Sequence, residues 1–276
     1  MPPESVDVIV PFRGGRGALV TLLERLSALE LGPECSATVV DNTAGGATMA
    51  VAGTAVVRIL AATERRSSYH ARNIGAGRSS AAWLLFLDAD VSSPPDLVRR
   101  YRMGEAAPDT AVLAGGIRDV SSGGRRREPL ASRYSRARRL IDQSNTLALR
   151  APYAKTANCA VRRSAFEQVG GFVDGIRSGG DADLCFRLAQ AGWGLEPRAD
   201  AVVEHRSRTR LGELLAQRAR HGSGAQWLEQ RYPGFADAPV SGPVLARRIC
   251  TGAARAVSEL GRGDREGALV AAIDPL

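Results

Sequence analysis

The stretch Trp83–Asp90 (WLLFLDAD) decides the fold, because five consecutive apolar residues run directly into two aspartates. An apolar run of this length is typical of a buried strand. Burying both Asp88 and Asp90 at its end would be costly without a cation or strong donors. The pair therefore predicts a polar site suited to Mg²⁺ or Mn²⁺, which prefer oxygen ligands and bridge to phosphates. The alternative is a polar strand end followed by a helix cap near Ser92.

On either side of this stretch, sequence patterns typical of strands alternate with patterns typical of helices. The predicted elements are strands at Val6–Phe12, Ala37–Val40, Val56–Leu60, Ala111–Ile117, Thr156–Val161 and Ala201–Glu204, and helices at Gly17–Leu29, Ser67–Ser80, Pro94–Met103, Arg163–Val169, Ala182–Gly192 and from Leu211 onward. This alternation predicts an α/β fold with a mixed, mainly parallel sheet flanked by helices. Ligands of such sheets bind beyond the carboxyl ends of the strands, where Asp41 and Asp88–Asp90 should converge.

The charge balance indicates an anionic partner. The net charge is +8, and Lys155 is the only lysine among 37 basic residues. A nucleotide diphosphate, a nucleic acid or an acidic membrane face would each fit. The densest basic segment, Arg125–Arg139, could bind such a partner, although runs of this kind are usually solvated. The alternative for the arginine excess is a GC-rich coding sequence.

Cysteine usage and hydropathy bear on location. The four cysteines are scattered singly, which disfavours a zinc site and is typical of buried thiols in a reducing compartment. The N-terminus lacks the pattern of a signal peptide, and no apolar run reaches the length of a membrane span. We therefore expect a cytoplasmic protein, soluble or peripheral to a membrane.

Further polar residues lie at predicted element ends, each with a structural alternative. Asp41 could contact a ligand, or serve as a turn residue before Asn42. Asp181 and Asp183 open a helix and could act as a general base or as helix caps. His205 follows a short strand and could bind a metal or phosphate, or be a surface histidine.

Five blocks in order carry a family resemblance: VDVIVPF, TVVDNTAGG, ARNIGAGRSSAAWLLFLDADV, TANCAVRRSAFEQVGGFVDGIRSGGDADLCFRLAQAGW and PRADAVVEHRSR. Over residues 5–206 the chain resembles family 2 glycosyltransferases of the GT-A fold. The later segment LAQRARHGSGAQWLEQRYPGF resembles the helical segment of mycofactocin-type glycosyltransferases. The implied domains are a catalytic domain at 1–206, with a nucleotide-binding half at 1–117 and an acceptor half at 118–206, and a C-terminal helical extension at 207–276.

The resemblance also implies residue roles. These are donor binding by Pro11, Phe12, Arg13, Asp41 (at the base), Arg72, Asp88 (at the ribose) and Ala89; metal binding by Asp90 and His205; and general base catalysis by Asp181. Many family members carry Glu-Asp at the acidic helix start, where this chain has Gly180-Asp181. Asp183 is therefore the competitor for the role of base.

The implied function is inverting, Mn²⁺- or Mg²⁺-dependent transfer of a sugar from a nucleotide diphosphate sugar to a hydroxyl acceptor. The pattern favours a UDP-sugar, with GDP and dTDP donors as alternatives, and a homodimer is compatible with it. A sugar-phosphate nucleotidyltransferase is a second candidate, although no lysine follows the first strand. A nucleic-acid-binding protein is a third, although aromatic residues are only 5% of the chain.

Overall fold

The computed structural model describes residues 4–45, 53–54, 56–120, 128–236 and 241–275 of the 276-residue chain. In chain order the strands are β1 (Val6–Phe12), β2 (Ser36–Asp41), β3 (Val57–Ala61), β4 (Trp83–Leu87), β5 (Val91–Ser92), β6 (Thr110–Asp119), β7 (Asn158–Arg162) and β8 (Gly194–His205). The helices are α1 (Arg16–Ser27), α2 (Ser68–Gly77), α3 (Leu97–Tyr101), α4 (Leu130–Ala137), α5 (Ser144–Leu147), α6 (Arg163–Gln168), α7 (Gly180–Gln190), α8 (Leu211–Arg231), α9 (Gly242–Gly261) and α10 (Arg265–Ile273).

The strands of the described residues form one mixed sheet in the order β3-β2-β1-β4-β7-β6-β8-β5. Strands β3, β2, β1 and β4 are parallel, whereas β7 is antiparallel to both β4 and β6. The central strands are apolar because both of their faces are covered; Val8 and Ile9 in β1 have no exposed surface. The predicted α/β fold with a mixed, mainly parallel sheet is confirmed.

Helix α2 lies unusually close to the sheet. A Cβ atom at Gly75 would be 2.6 Å from Ile9 Cγ2 and 3.0 Å from Val40 Cγ2, so only glycine permits this approach. Ser67 caps the helix by accepting a hydrogen bond from the His70 backbone N–H. The close packing holds the α2 side chains near the carboxyl ends of β1 and β2.

The chain divides into two compact units. The first comprises Met1–Arg118 and Asp142–His205, and the second comprises Asp119–Ile141 and Arg206–Leu276. Residues 119–141 pack with the C-terminal helices, because Tyr134 is fully buried in a cluster with Leu214 and Ile273. The division into a catalytic domain at 1–206 and a helical extension at 207–276 stays a prediction.

The second unit also contains the arginine-rich segment. Arg125–Arg127 lie outside the described residues. Arg136 is paired with Glu128 at 2.7 Å, and Arg138 lies 3.2 Å from Asp274. These arginines therefore have carboxylate partners within their own unit. Among the described residues, no helix is long and apolar enough to cross a membrane.

Candidate functional site

The loops that follow β1 and β2 are joined to each other. The parallel register places Phe12 beside Asp41 at the strand ends. The Gly14 N–H then donates to Thr43 Oγ1 at 3.1 Å, and the Asn42 N–H donates to the Phe12 carbonyl at 2.7 Å. Because β4 pairs with β1 in parallel, the residues after Leu87 emerge at this same edge. The predicted convergence of polar loops is therefore present.

Arg72 forms an ion pair with Asp88 across this edge. The Arg72 guanidinium donates from Nη2 to Asp88 Oδ1 at 2.5 Å, and its side chain is only 4% exposed. Desolvation by surrounding protein atoms raises the pKa of Asp88, Arg72 opposes the rise, and the charges of Asp90 and Asp181 add to it. The Asp88 side chain keeps 39% of its surface exposed, so a ligand hydroxyl can still reach it.

Asp90 and His205 are brought together by the short strand β5. Val91 pairs with His205 in the antiparallel β5–β8 register, which places the histidine beside the preceding aspartate. His205 Nε2 lies 3.7 Å from Asp90 Oδ2, and the Asp90 side chain is 58% exposed. The two residues predicted to bind a metal are therefore neighbours.

These two side chains fit a hard divalent cation. The described residues contain no group of three or more His, Cys, Asp or Glu able to form a complete metal cage. Mg²⁺ sites at phosphates do not need one, since one or two carboxylates, substrate phosphates and waters complete the coordination. The exposed Asp90 carboxylate supplies an oxygen ligand of the kind such a site uses, and the adjacent His205 imidazole offers a nitrogen, a common metal ligand in proteins.

Arg25 on α1 hydrogen-bonds to the backbone of the Asp88–Asp90 turn, a contact that no sequence pattern predicted. Its guanidinium donates to the Ala89 carbonyl at 2.7 Å and to the Val91 carbonyl at 3.0 Å. Charged donors make the stronger class of hydrogen bonds. The backbone on either side of Asp90 is therefore fixed by a residue more than 60 positions away in sequence.

Asp181, in the first turn of α7, is held by Thr156. The Thr156 backbone N–H and hydroxyl donate to its two carboxylate oxygens at 3.2 and 3.1 Å. Burial raises the pKa of Tyr69 of α2 well above its usual value, and the nearby charge of Asp181 adds to the rise. The charge of Asp181 also raises the pKa of Asp88, so the predicted base lies near the Asp88–Asp90 turn.

Tyr69 accounts for the glycine at position 180. A Cβ atom at Gly180 would lie 2.7–2.9 Å from three atoms of the Tyr69 ring, and the Gly180 N–H donates to the Tyr69 hydroxyl at 3.0 Å. The ring is fixed by stacking on Phe172 at a centroid distance of 5.3 Å. The tyrosine thus fills the space into which a glutamate at position 180 would project.

Asp183, the competitor for the role of base, is engaged in a structural ion pair. It has no exposed surface, and its Oδ2 accepts from Arg187 at 2.8 Å, one helical turn away. Arg187 also donates to the carbonyls of Val169 and Gly171, at 2.5 and 2.6 Å. Asp183 therefore orients the arginine that secures the Gly-Gly turn before α7.

Four of the residues predicted to bind the donor differ in their exposure. Asp41 has no exposed surface, and its Oδ1 accepts from the Thr43 N–H at 2.9 Å, as in an Asx turn. Pro11 is half-buried, Phe12 is buried and Arg13 is exposed. Contact of these four residues with a donor, and of Asp41 with its base, stays a prediction.

Lys155, the only lysine, directly precedes Thr156 in the chain. Its ammonium donates to the Asp142 carbonyl at 2.6 Å, and its backbone N–H donates to Gln143 Oε1 at 2.7 Å. Burial lowers the pKa of Lys155 to about 8, against the opposing charges of Asp142 and Asp181. The ammonium group of Lys155 therefore has a pKa only slightly above neutrality.

Comparison with known proteins decides the family. Residues 83–254, more than half of the chain, match the family model described as "Glycosyl transferase family group 2". The chain belongs to this family. Membership of this family explains the predicted resemblance. It favours the glycosyltransferase interpretation over the nucleotidyltransferase and nucleic-acid-binding alternatives.

A curated relative of this family 2 chain has a mycofactocin-related name. The chain is 29% identical over 239 residues to a pre-mycofactocin glycosyltransferase of Mycobacterium tuberculosis, covering 83% of this chain and 48% of the relative. It thus spans about half the length of the curated relative it matches.

Two solved structures share the fold. One is a mannosyltransferase from Pyrobaculum calidifontis in complex with GDP-Man and Mn²⁺ (TM-score 0.62, 20% identity, 97% of this chain and 85% of that one). The other is GalNAc-T7 with UDP, GalNAc and Mn²⁺ (TM-score 0.55, 13% identity, 76% of this chain and 45% of that one). These likenesses confirm the GT-A-like fold of this family 2 member.

Proposed function

We propose that the protein is an inverting, divalent-metal-dependent glycosyltransferase that uses a nucleotide diphosphate sugar. The observation that carries the proposal is that Asp90 and His205 are neighbours at the edge of the sheet. Asp88 lies beside them, and Asp181 of α7 is near enough for its charge to raise the pKa of Asp88. One group of residues can bind a metal–diphosphate, and a separate carboxylate can accept a proton. Transfer of a sugar to a hydroxyl needs both functions.

Asp90 and His205 would hold the cation, which supplies Lewis-acid stabilisation of the departing diphosphate when bound. Asp88 would accept hydrogen bonds from the ribose, since one face of its carboxylate is occupied by Arg72 and the rest is partly exposed. Arg25 would keep the turn in the conformation that presents Asp90. Two structurally similar enzymes were solved with Mn²⁺, which supports a metal of this class.

Asp181 would act as the general base. Its carboxylate would take the proton of the acceptor hydroxyl as that oxygen forms a bond to the anomeric carbon. The bond from the anomeric carbon to the diphosphate breaks on the opposite face, and its electron pair leaves with the nucleoside diphosphate. Thr156 holds the carboxylate in place, which matters because a base works only within hydrogen-bonding reach of the proton.

UDP-, GDP- and dTDP-sugars are the candidate donors. UDP-sugars are favoured by the family pattern, whereas the more similar of the two solved structures contains GDP-Man. The acceptor could be a small molecule, a glycan or a peptide. A homodimer, a cytoplasmic location and the division of the catalytic domain into donor and acceptor halves remain predictions.

A thermal-shift and calorimetric panel tests the proposal. UDP-, GDP- and dTDP-sugars are each added with and without Mn²⁺; a ligand at about 100 times its Kd stabilises the fold by about 2.7 kcal/mol. One nucleotide should stabilise the protein, and only with metal. Asp90→Ala should abolish the metal-dependent part, whereas Asp109→Ala, at another exposed aspartate, should leave it intact. Equal binding by Asp90→Ala and the unmodified protein would contradict the metal assignment.

A further inference from the structure

The positive charge of the chain is concentrated in the second compact unit. That unit, residues 119–141 and 206–276, contains 18 arginines against nine carboxylates. The first unit contains 19 basic residues against 20 carboxylates. The unit with the donor and base residues is thus close to neutral, and the net charge of +8 does not arise from a basic catalytic surface.

Helix α9 of the second unit presents an apolar face that none of the described residues covers. Its exposed large apolar side chains are Val244 (44%), Leu245 (39%), Ile249 (40%), Val257 (71%) and Leu260 (58%). At 100° per residue the last four lie within about 120° of the helix circumference and form an apolar strip, whereas Val244 lies on the side of the arginines. The helix has 20 residues, about 30 Å of length. Monomeric soluble proteins seldom leave a continuous apolar strip of this kind on the surface without a binding role.

The packed side of α9 is a different one. It contacts α10 at Gly252, where an added Cβ would be 2.5 Å from Pro275 Cγ and 2.6 Å from the Ala271 carbonyl oxygen. At 100° per residue, Ile249, Leu260 and Val257 lie about 60°, 80° and 140° around the helix from Gly252. Leu245 lies on the same side as Gly252 but about two turns earlier, and it is still 39% exposed. Within the described residues, α10 therefore does not cover the apolar strip.

Arginines line the remaining surface of the helix. They are Arg247, Arg248, Arg255 and Arg262, all exposed. Glu259, the only acidic residue of α9, is 17% exposed and lies 3.8 Å from Arg255 and 3.5 Å from Arg262. Apolar residues on one face and arginine on the other are the pattern of a helix that lies in the interface of an anionic membrane.

We propose that the open apolar face of α9 binds the surface of a lipid bilayer that contains anionic lipids. The apolar strip would enter the region between headgroups and acyl chains, and the arginines would contact lipid phosphates. A second copy is a poorer occupant, because it would bring a second unit of nine excess positive charges against the first. A nucleic acid would satisfy the arginines but not the apolar strip.

Two double variants that each add two negative charges distinguish insertion of the apolar strip into the bilayer from electrostatic attraction alone. Val257→Glu/Leu260→Glu places two carboxylates on the apolar strip, and Thr251→Glu/Ser258→Glu places two on the polar face. All four positions are exposed, so both proteins should keep the parent's circular dichroism and Tm. The measurement is co-sedimentation of the full chain with vesicles of phosphatidylcholine alone or with about a third phosphatidylglycerol.

The chain should bind the anionic vesicles, and binding should weaken as added salt screens the arginines. The strip variant should lose about tenfold or more in vesicle affinity, and clearly more than the polar-face variant. Cys250, the exposed cysteine of α9, offers a direct readout. An environment-sensitive fluorophore on Cys250, with Cys35→Ser to prevent labelling there, should shift to shorter wavelength on anionic vesicles.

Three results would overturn the proposal. The first is no binding of the parent chain to anionic vesicles. The second is an equal loss in both double variants, since this would reduce the contact to charge alone. The third is a concentration-dependent dimer that only the strip variant disrupts, without vesicle binding, since this would make a second copy the occupant. None of these results depends on sugar transfer, so they leave the proposed enzymatic function untouched.

Discussion

Asp181 and Asp183 are two residues apart on α7, and the same isosteric change should affect them in opposite ways. Asp183 is fully buried against Arg187, whose side chain is 14% exposed. Asp183→Asn leaves that guanidinium without its counter-charge, a loss that costs about 3–5 kcal/mol for a buried pair. At about 2–4 °C per kcal/mol for a domain of this size, the Tm should fall by roughly 6–20 °C.

Asp181→Asn should leave stability nearly unchanged and remove turnover. The asparagine can still accept from Thr156, so its cost should stay within about 1 kcal/mol, the net value of one hydrogen bond. Without a proton acceptor, the release of nucleoside diphosphate should fall by about 10²–10⁴-fold. Binding of the donor should persist.

The assay uses the nucleotide sugar that stabilises the parent protein, with water as acceptor, and follows nucleoside diphosphate release. Thermal unfolding followed by circular dichroism gives Tm for both variants. The reasoning is refuted if Asp183→Asn keeps the parent's Tm and loses turnover while Asp181→Asn remains active. That outcome would move the base to Asp183.

Three further variants test the surroundings of the site. Arg25→Met should weaken Mn²⁺-dependent nucleotide binding by about 10–100-fold in calorimetry, as for lost outer-shell support of a metal ligand, while Arg16→Met on the same helix should not. Gly180→Ala should cost about 1–3 kcal/mol in urea unfolding through overpacking against Tyr69. In the double variant with Tyr69→Ala, the cost should be at least about 0.5 kcal/mol below the sum of the single changes, and strict additivity would contradict the contact. Because the folded-state pKa of Lys155 is about 8 and lies below its unfolded value, the unfolded chain binds more protons between these two pH values. Stability should therefore rise with pH from about 8 towards 10 in the parent and less so in Lys155→Met, and NMR of the ¹³C-methylated amine should show titration near pH 8 rather than near the ordinary lysine value.

The buried strands could be predicted because their sequences are continuous apolar runs. Strands β1 and β4 have the predicted limits, Val6–Phe12 and Trp83–Leu87. Strand β8 begins seven residues earlier than predicted, because Glu196, Arg198 and Asp200 interrupt the apolar pattern there. The two-residue strand β5 and the four-residue helix α5 were missed, since elements this short have no periodicity to detect.

The candidate site was predictable only in part. Asp88, Asp90, Asp181 and His205 follow apolar runs or open a helix, so their order along the chain signals a common site. The residues that contact this site from other elements show no such pattern in the sequence. Arg25, Tyr69 and Thr156 come from elements tens of residues distant, and a guanidinium bonded to a remote carbonyl leaves no local pattern in the sequence.

The contact between Tyr69 and Gly180 has a consequence for how this family varies. A side chain larger than glycine at position 180 requires a side chain smaller than tyrosine at position 69, because both would occupy the same space. Single substitutions at either position should therefore be selected against, and paired ones tolerated. Among relatives aligned in future, a larger residue at 180 should coincide with a smaller one at 69, so that two columns 111 positions apart change as one.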